Sequence, residues 1–112
     1  MKEAQAGNER VDTILAELRR RFQDLYGDRL VKMVLYGSQA RGDARRDSDI
    51  DVLVVLKGPV RAYTEIERTG NIVADLSLAS GQVISCLFMD EERFTRRGGP
   101  LLTNIRREGV AV

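Results

Sequence analysis

The sequence predicts a small α/β layered domain, with helices packed on a mixed sheet of about three strands or more. Three observations predict it. Short apolar runs of strand length alternate with segments of helical periodicity. Glycine, proline and aspartate punctuate the junctions. The 112 residues suit a single core, so one domain is expected over 1–112.

The first patterned segment is Glu9 to Tyr26. Val11, Ile14, Leu15, Leu18, Phe22 and Leu25 fall at three- and four-residue steps, which draws one apolar stripe on a helix. Gly27-Asp28 stops it. Leu30 to Tyr36 (LVKMVLY) is short, apolar and partly β-branched, and reads as a buried strand ended by Gly37. Ser38 to Asp47 is too polar for a core element; a helical turn from Ser38 and a loop at Gly42 are expected. Asp49 to Leu56 (DIDVLVVL) is the clearest strand, apolar on both faces beyond Asp51 and hence covered on both sides. Gly58-Pro59 terminates it.

Arg61 to about Ser80 reads as a second helix with Tyr63, Ile66, Val73 and Leu76 inward, weakened at Gly70 by about 1 kcal/mol relative to alanine, which leaves room for a break there. Val83 to Met89 is a third strand. Asp90 then caps a helix opening with Glu91-Glu92, acids placed at the positive end of its dipole. Pro100 to Arg107 forms a last short helix with proline at its first position, stopped by Gly109.

Composition narrows the chemistry. At 43% hydrophobic and 31% charged residues the chain is globular, and no apolar run nears the roughly 20 residues of a membrane span. The first ten residues have no apolar signal region, and one cysteine forms no internal disulfide, so a cytoplasmic location is expected. A formal net charge of +1 carries no nucleic-acid footprint. The arginine clusters read as solvated faces, except Arg41 with Arg45-Arg46, which lies inside the motif below. Histidine is absent, which removes imidazole acid–base work and histidine metal sites. Cys86 reads as a buried core thiol.

The chemistry-bearing pattern is Gly37-Ser38, ten intervening residues, then Asp49-Ile50-Asp51 opening an apolar strand. Residues two apart on a strand share a face. Two carboxylates at ~4 Å repel by about 4 kcal/mol at an intermediate dielectric. A hard divalent cation removes that conflict, and Mg²⁺ favours carboxylates, waters and substrate phosphates. Gly37 lets the backbone turn and phosphate approach. Ser38 offers a hydroxyl donor, Ser48 a local cap or a further hydroxyl. Arg41, one turn on, can steady the same phosphates or pack against the acidic strand. A phosphate cradle facing a metal-binding pair suits phosphoryl or nucleotidyl transfer.

Together, Gly37-Ser38, Ala40-Arg41-Gly42, Ser48-Asp49 and Asp51 resemble the nucleotidyltransferase superfamily, specifically the minimal nucleotidyltransferases often encoded beside HEPN-domain proteins. The match is strong over 30–56 and looser outside it. It implies a polymerase β-like fold and transfer of a nucleoside monophosphate from ATP or another NTP, with AMP from ATP as the leading case, to a hydroxyl or phosphate of a protein or nucleic-acid acceptor, with loss of pyrophosphate. It implies nucleotide contacts from Gly37, Ser38, Arg41 and Ser48, and catalysis through Mg²⁺ held by Asp49 and Asp51. In the toxin–antitoxin branch the implied acceptor is a tyrosine of the HEPN partner. One departure stands out. The superfamily commonly adds a third carboxylate from a later strand, yet Val83 to Met89 has no acid and Ser85 is its only hydroxyl. Asp75 and Asp90 flank it, displaced from its centre. Three readings stay open: an enzyme, a nucleotide-binding module that neutralises a HEPN partner by docking, and a generic phosphate- or nucleic-acid-binding domain.

Overall fold

A computed structural model describes residues 9–42 and 48–112. The expectations for the first residues and for Arg45-Arg46 lie outside the described residues. In order the elements are α1 (Glu9–Tyr26), a 3-10 turn (Gly27–Arg29), β1 (Leu30–Tyr36), α2 (Ser38–Arg41), β2 (Ile50–Leu56), α3 (Ala62–Ser80), β3 (Ile84–Asp90), α4 (Glu91–Arg96), α5 (Pro100–Glu108) and β4 (Val110–Ala111). The end of α1 at Tyr26 and both ends of the strand Leu30–Tyr36 fall where the sequence places them. Among the described residues no helix is long and apolar enough to cross a membrane.

The four strands form one sheet in the order β3-β2-β1-β4. Strand β1 is antiparallel to both β2 and β4, whereas β2 and β3 run parallel. The polar connection between β1 and β2 allows the antiparallel pair. The parallel pair needs a long crossover, which α3 supplies. Strand β4 is only two residues, too short for a sequence signal, and pairs Val110 with Leu35 and Ala111 with Val34.

Alternation along β2 builds a core on each side of the sheet. Ile50, Val52, Val54 and Leu56 pack with Val11, Leu15, Leu18 and Phe22 of α1, and with Leu76 of α3. Leu53 and Val55 face the other way and pack with Leu102 and Ile105 of α5, with Phe94 of α4 at the margin. This double cover explains the nearly continuous apolar run of β2. Asp51 shares its face with Leu53 and Val55, at the open end of the α5 side.

Helix α3 departs from the expected inner face. Tyr63 and Ile66 are exposed, while Glu65, Thr69, Leu76 and Ser80 are buried. Nor does Gly70 break the helix. The buried acid is satisfied by distant partners: the Tyr26 hydroxyl donates to Glu65 Oε1 at 2.7 Å and Arg68 Nε lies 3.1 Å from the same oxygen. Arg29 Nη1 stands 3.9 Å from Oε2. Burial, and then the bond to Glu65, raise the Tyr26 pKa. Paired in this way, a carboxylate can take an inward position that hydropathy alone assigns to Ile66.

Asp90 caps α4 as expected: its Oδ1 accepts from the Arg93 backbone N–H at 2.7 Å. Asp90→Ala should cost about 1 kcal/mol, read as a lower denaturant midpoint with unchanged slope.

Candidate active site

Gly37 ends β1 in a conformation reserved for glycine, φ 76° and ψ −157°. A Cβ built there would stand 2.7 Å from Asp51 Oδ2. Register explains the closeness, since Tyr36 pairs with Asp51 across β1 and β2. The glycine turn and the acid, well separated in sequence, therefore stand against each other. Gly37→Ala combines backbone strain with that clash. A loss of about 1–3 kcal/mol is expected, measurable by denaturant unfolding.

Ser38 opens α2 and is half-buried. The Gly37 carbonyl accepts from the N–H groups of Ala40 and Arg41, both at 3.1 Å, which closes this single turn. Arg41 is exposed, with Nη1 3.8 Å from Glu108 Oε2 at the end of α5. That carboxylate was not foreseen, because α5 reaches the turn only through tertiary packing. Ser48 and Asp49 come just before β2, which starts one residue later than expected. Asp49 is exposed and Asp51 half-buried. Burial, and then the nearby charge of Asp49, raise the Asp51 pKa. The neighbouring Tyr36 hydroxyl is also raised, by burial first and then by Asp51.

Two buried glutamines complete the surroundings. Gln39 Nε2 donates to the Ser48 carbonyl at 3.2 Å, and Gln82 Nε2 donates to the same oxygen at 3.4 Å. Neither stood out in the sequence, because an isolated glutamine carries no pattern. On β3, Ser85 stands in register beside Asp51. The strand position next to the acid is therefore a hydroxyl. Asp90 lies at the far end of β3, in register with Leu56, and Asp75 is an exposed α3 residue 3.7 Å from Arg21. Among the described residues, no group of three or more acids, cysteines or histidines forms a metal cluster. Asp49 and Asp51 still fit a Mg²⁺ that takes one or two protein carboxylates and completes its shell with phosphate and water. The charge of Asp49 acting on Asp51 is the conflict such a cation relieves. Burial pushes the Cys86 thiol up to about 12, in keeping with an inert core cysteine.

The chain is similar to known proteins. Two proteins of Methanocaldococcus jannaschii, each named "putative protein adenylyltransferase", match the chain. One is 36% identical over 72 residues, covering 64% of this chain and 66% of its own length. The other is 30% identical over 97 residues, covering 85% of this chain and 66% of its own length. The chain thus spans just under two thirds of either relative. A crystal structure titled as a "putative nucleotidyltransferase" from Sulfolobus solfataricus superposes with a TM-score of 0.58 at 18% identity, covering 99% of this chain and 89% of that one. That likeness shows a shared fold, in keeping with the polymerase β-like architecture. The model of the nucleotidyltransferase domain matches residues 15–106, most of the chain and both halves of the Gly37–Asp51 contact, and the protein belongs to that family.

Proposed function

We propose that this domain is a Mg²⁺-dependent adenylyltransferase that moves AMP from ATP to a protein hydroxyl. The observation that carries the reading is the contact of Gly37 with Asp51, which joins a phosphate-accommodating turn to an acidic strand. Asp49 and Asp51 hold the cation. When bound, Mg²⁺ neutralises the triphosphate and makes the α-phosphorus more electrophilic. The glycine at 37 lets the Asp51 carboxylate stand against the turn, which brings phosphate bound at the turn beside the acids, and Ser38 donates its hydroxyl to a phosphate oxygen. Ser48 and Arg41 line the same turn. An acceptor oxygen bonds to the α-phosphorus, the bond to the β-phosphate oxygen breaks, and pyrophosphate leaves. The acceptor's proton passes to water. The relatives' names favour a protein acceptor. Resemblance to the minimal nucleotidyltransferases points to a tyrosine of a HEPN-domain partner in a cytoplasmic toxin–antitoxin pair.

The test is transfer of label from α-labelled ATP to such a partner with Mg²⁺. Labelling that disappears with Asp49→Asn supports the reading. Wild type and Asp49→Asn giving the same absence of transfer would overturn it.

Ser85 beside Asp51 favours a second reading, a nucleotide-binding module that neutralises its partner by docking. A hydroxyl there is a poor general base for the acceptor. Under this reading Asp51→Asn still protects cells from the partner; under the first it does not.

A further inference from the structure

We propose that Gln39 and Gln82 are positioning residues: their amides jointly hold the Ser48 carbonyl and thereby set where Asp49 and Asp51 stand. The proposal rests on the reading of those acids as metal ligands.

Three separate pieces of chain meet at this one oxygen. Gln39 is the second residue of α2, directly after the Gly37-Ser38 turn. Gln82 sits in the turn between α3 and β3. Ser48 immediately precedes Asp49. The two Nε2–O distances are 3.2 and 3.4 Å, and a carbonyl's two lone pairs can accept both donors. Both side chains are deeply buried, at 5% and 7% exposure. A buried amide is costly without hydrogen bonds, so these side chains have strong reason to keep this partner.

Neighbouring bonds make Gln82 a firm anchor. Its backbone N–H donates to Ser80 Oγ at 3.2 Å, and the Ser80 hydroxyl lies 3.4 Å from its carbonyl. On the other side of Asp49, the Ile50 N–H donates to the Val83 carbonyl at 2.9 Å. Asp49 is thus an exposed residue outside the strand ladder, held between two pinned neighbours. Gln39 adds a direct tie from the phosphate-side turn to the acid side. Leucine or methionine could fill either space, but neither could hold the carbonyl. Outer-shell partners of metal ligands commonly contribute about 10–100-fold to metal affinity.

The test uses Gln39→Met, Gln82→Met and the double variant, with no nucleotide present. Backbone amide exchange at Ile50 and Asp51 is followed first, without metal. Mn²⁺ binding is then titrated by electron paramagnetic resonance. In the double variant, exchange at these amides should rise about tenfold, and the Mn²⁺ dissociation constant should rise about tenfold or more. Each single variant keeps one donor, so each should lose only a few-fold, less than half the double effect on a logarithmic scale. In transfer assays, the metal concentration for half-maximal rate should rise while kcat at saturating metal stays close to wild type. If the double variant melts too early, the single variants carry both measurements. Unchanged exchange overturns the clamp whether or not metal binds. Raised exchange with Mn²⁺ affinity unchanged overturns its role in placing the acids. A wild-type protein that binds no Mn²⁺ while exchange still responds overturns instead the metal-ligand reading, and with it the functional half of this proposal.

Discussion

Asp51→Asn should reduce AMP transfer by at least about 100-fold while leaving the metal-free protein as stable as wild type, or more so. The loss follows from the role proposed for Asp51: a neutral amide has no charge with which to hold Mg²⁺ against the triphosphate. The stability effect has the opposite sign for an electrostatic reason. Burial and the charge of Asp49 both raise the Asp51 pKa in the folded state. A carboxyl shifted upward contributes stability below its unfolded pKa and loses it as pH rises through the folded value. At neutral pH the ionised acid is therefore a liability of the metal-free fold, and asparagine removes it. Thermal melts against pH should show that wild type loses stability over this range relative to Asp51→Asn. Adding Mg²⁺ should raise the wild-type Tm and leave that of the variant unchanged. A variant that melts well below wild type at neutral pH, without metal, would contradict this account.

Gly109→Ala should be the most destabilising single-methyl substitution among the glycines. The backbone there is ordinary, with φ −64°, so conformational freedom is not the reason for glycine. Space is. A Cβ would stand 2.4 Å from the Ile105 carbonyl oxygen and 2.5 Å from Val34 Cγ1. Gly109 joins α5 to β4, and its own N–H donates to that same carbonyl at 2.8 Å. Relief would require moving α5 from the sheet or β4 from β1. Overpacking of this kind costs about 1–3 kcal/mol, and a rigid backbone atom in the clash places this site at the upper end. The Tm should fall on the order of 10 °C. Gly98→Ala is the control: nothing lies within 4 Å of its built Cβ, and its stability should change by less than about 0.5 kcal/mol.

Local features of the chain were read where they depend on nearby residues. The stripe from Val11 to Phe22 repeats at helical spacing whatever it packs against. Asp90 was recognisable as a cap because its partner is three residues away. Features set by distant partners were not. Glu65 is inward because Tyr26, Arg29 and Arg68 surround it, and Ile66 is displaced outward by that choice. Strand β4 exists because β1 has an edge to pair with; two residues hold no periodicity of their own. Glu108 comes near Arg41 through the packing of α5.

The Gly37-Ser38 and Asp49/Asp51 motif, the α/β class and the lack of an acid from Val83 to Met89 follow from residue type and spacing, and the family resemblance is what makes that lack stand out. Only the tertiary structure decided that Gly37 touches Asp51, that Ser85 stands beside it, and that Gln39 and Gln82 converge on Ser48. Those facts depend on strand register and on the placement of separate chain segments, which the long-range packing of both sheet faces determines and no local pattern encodes.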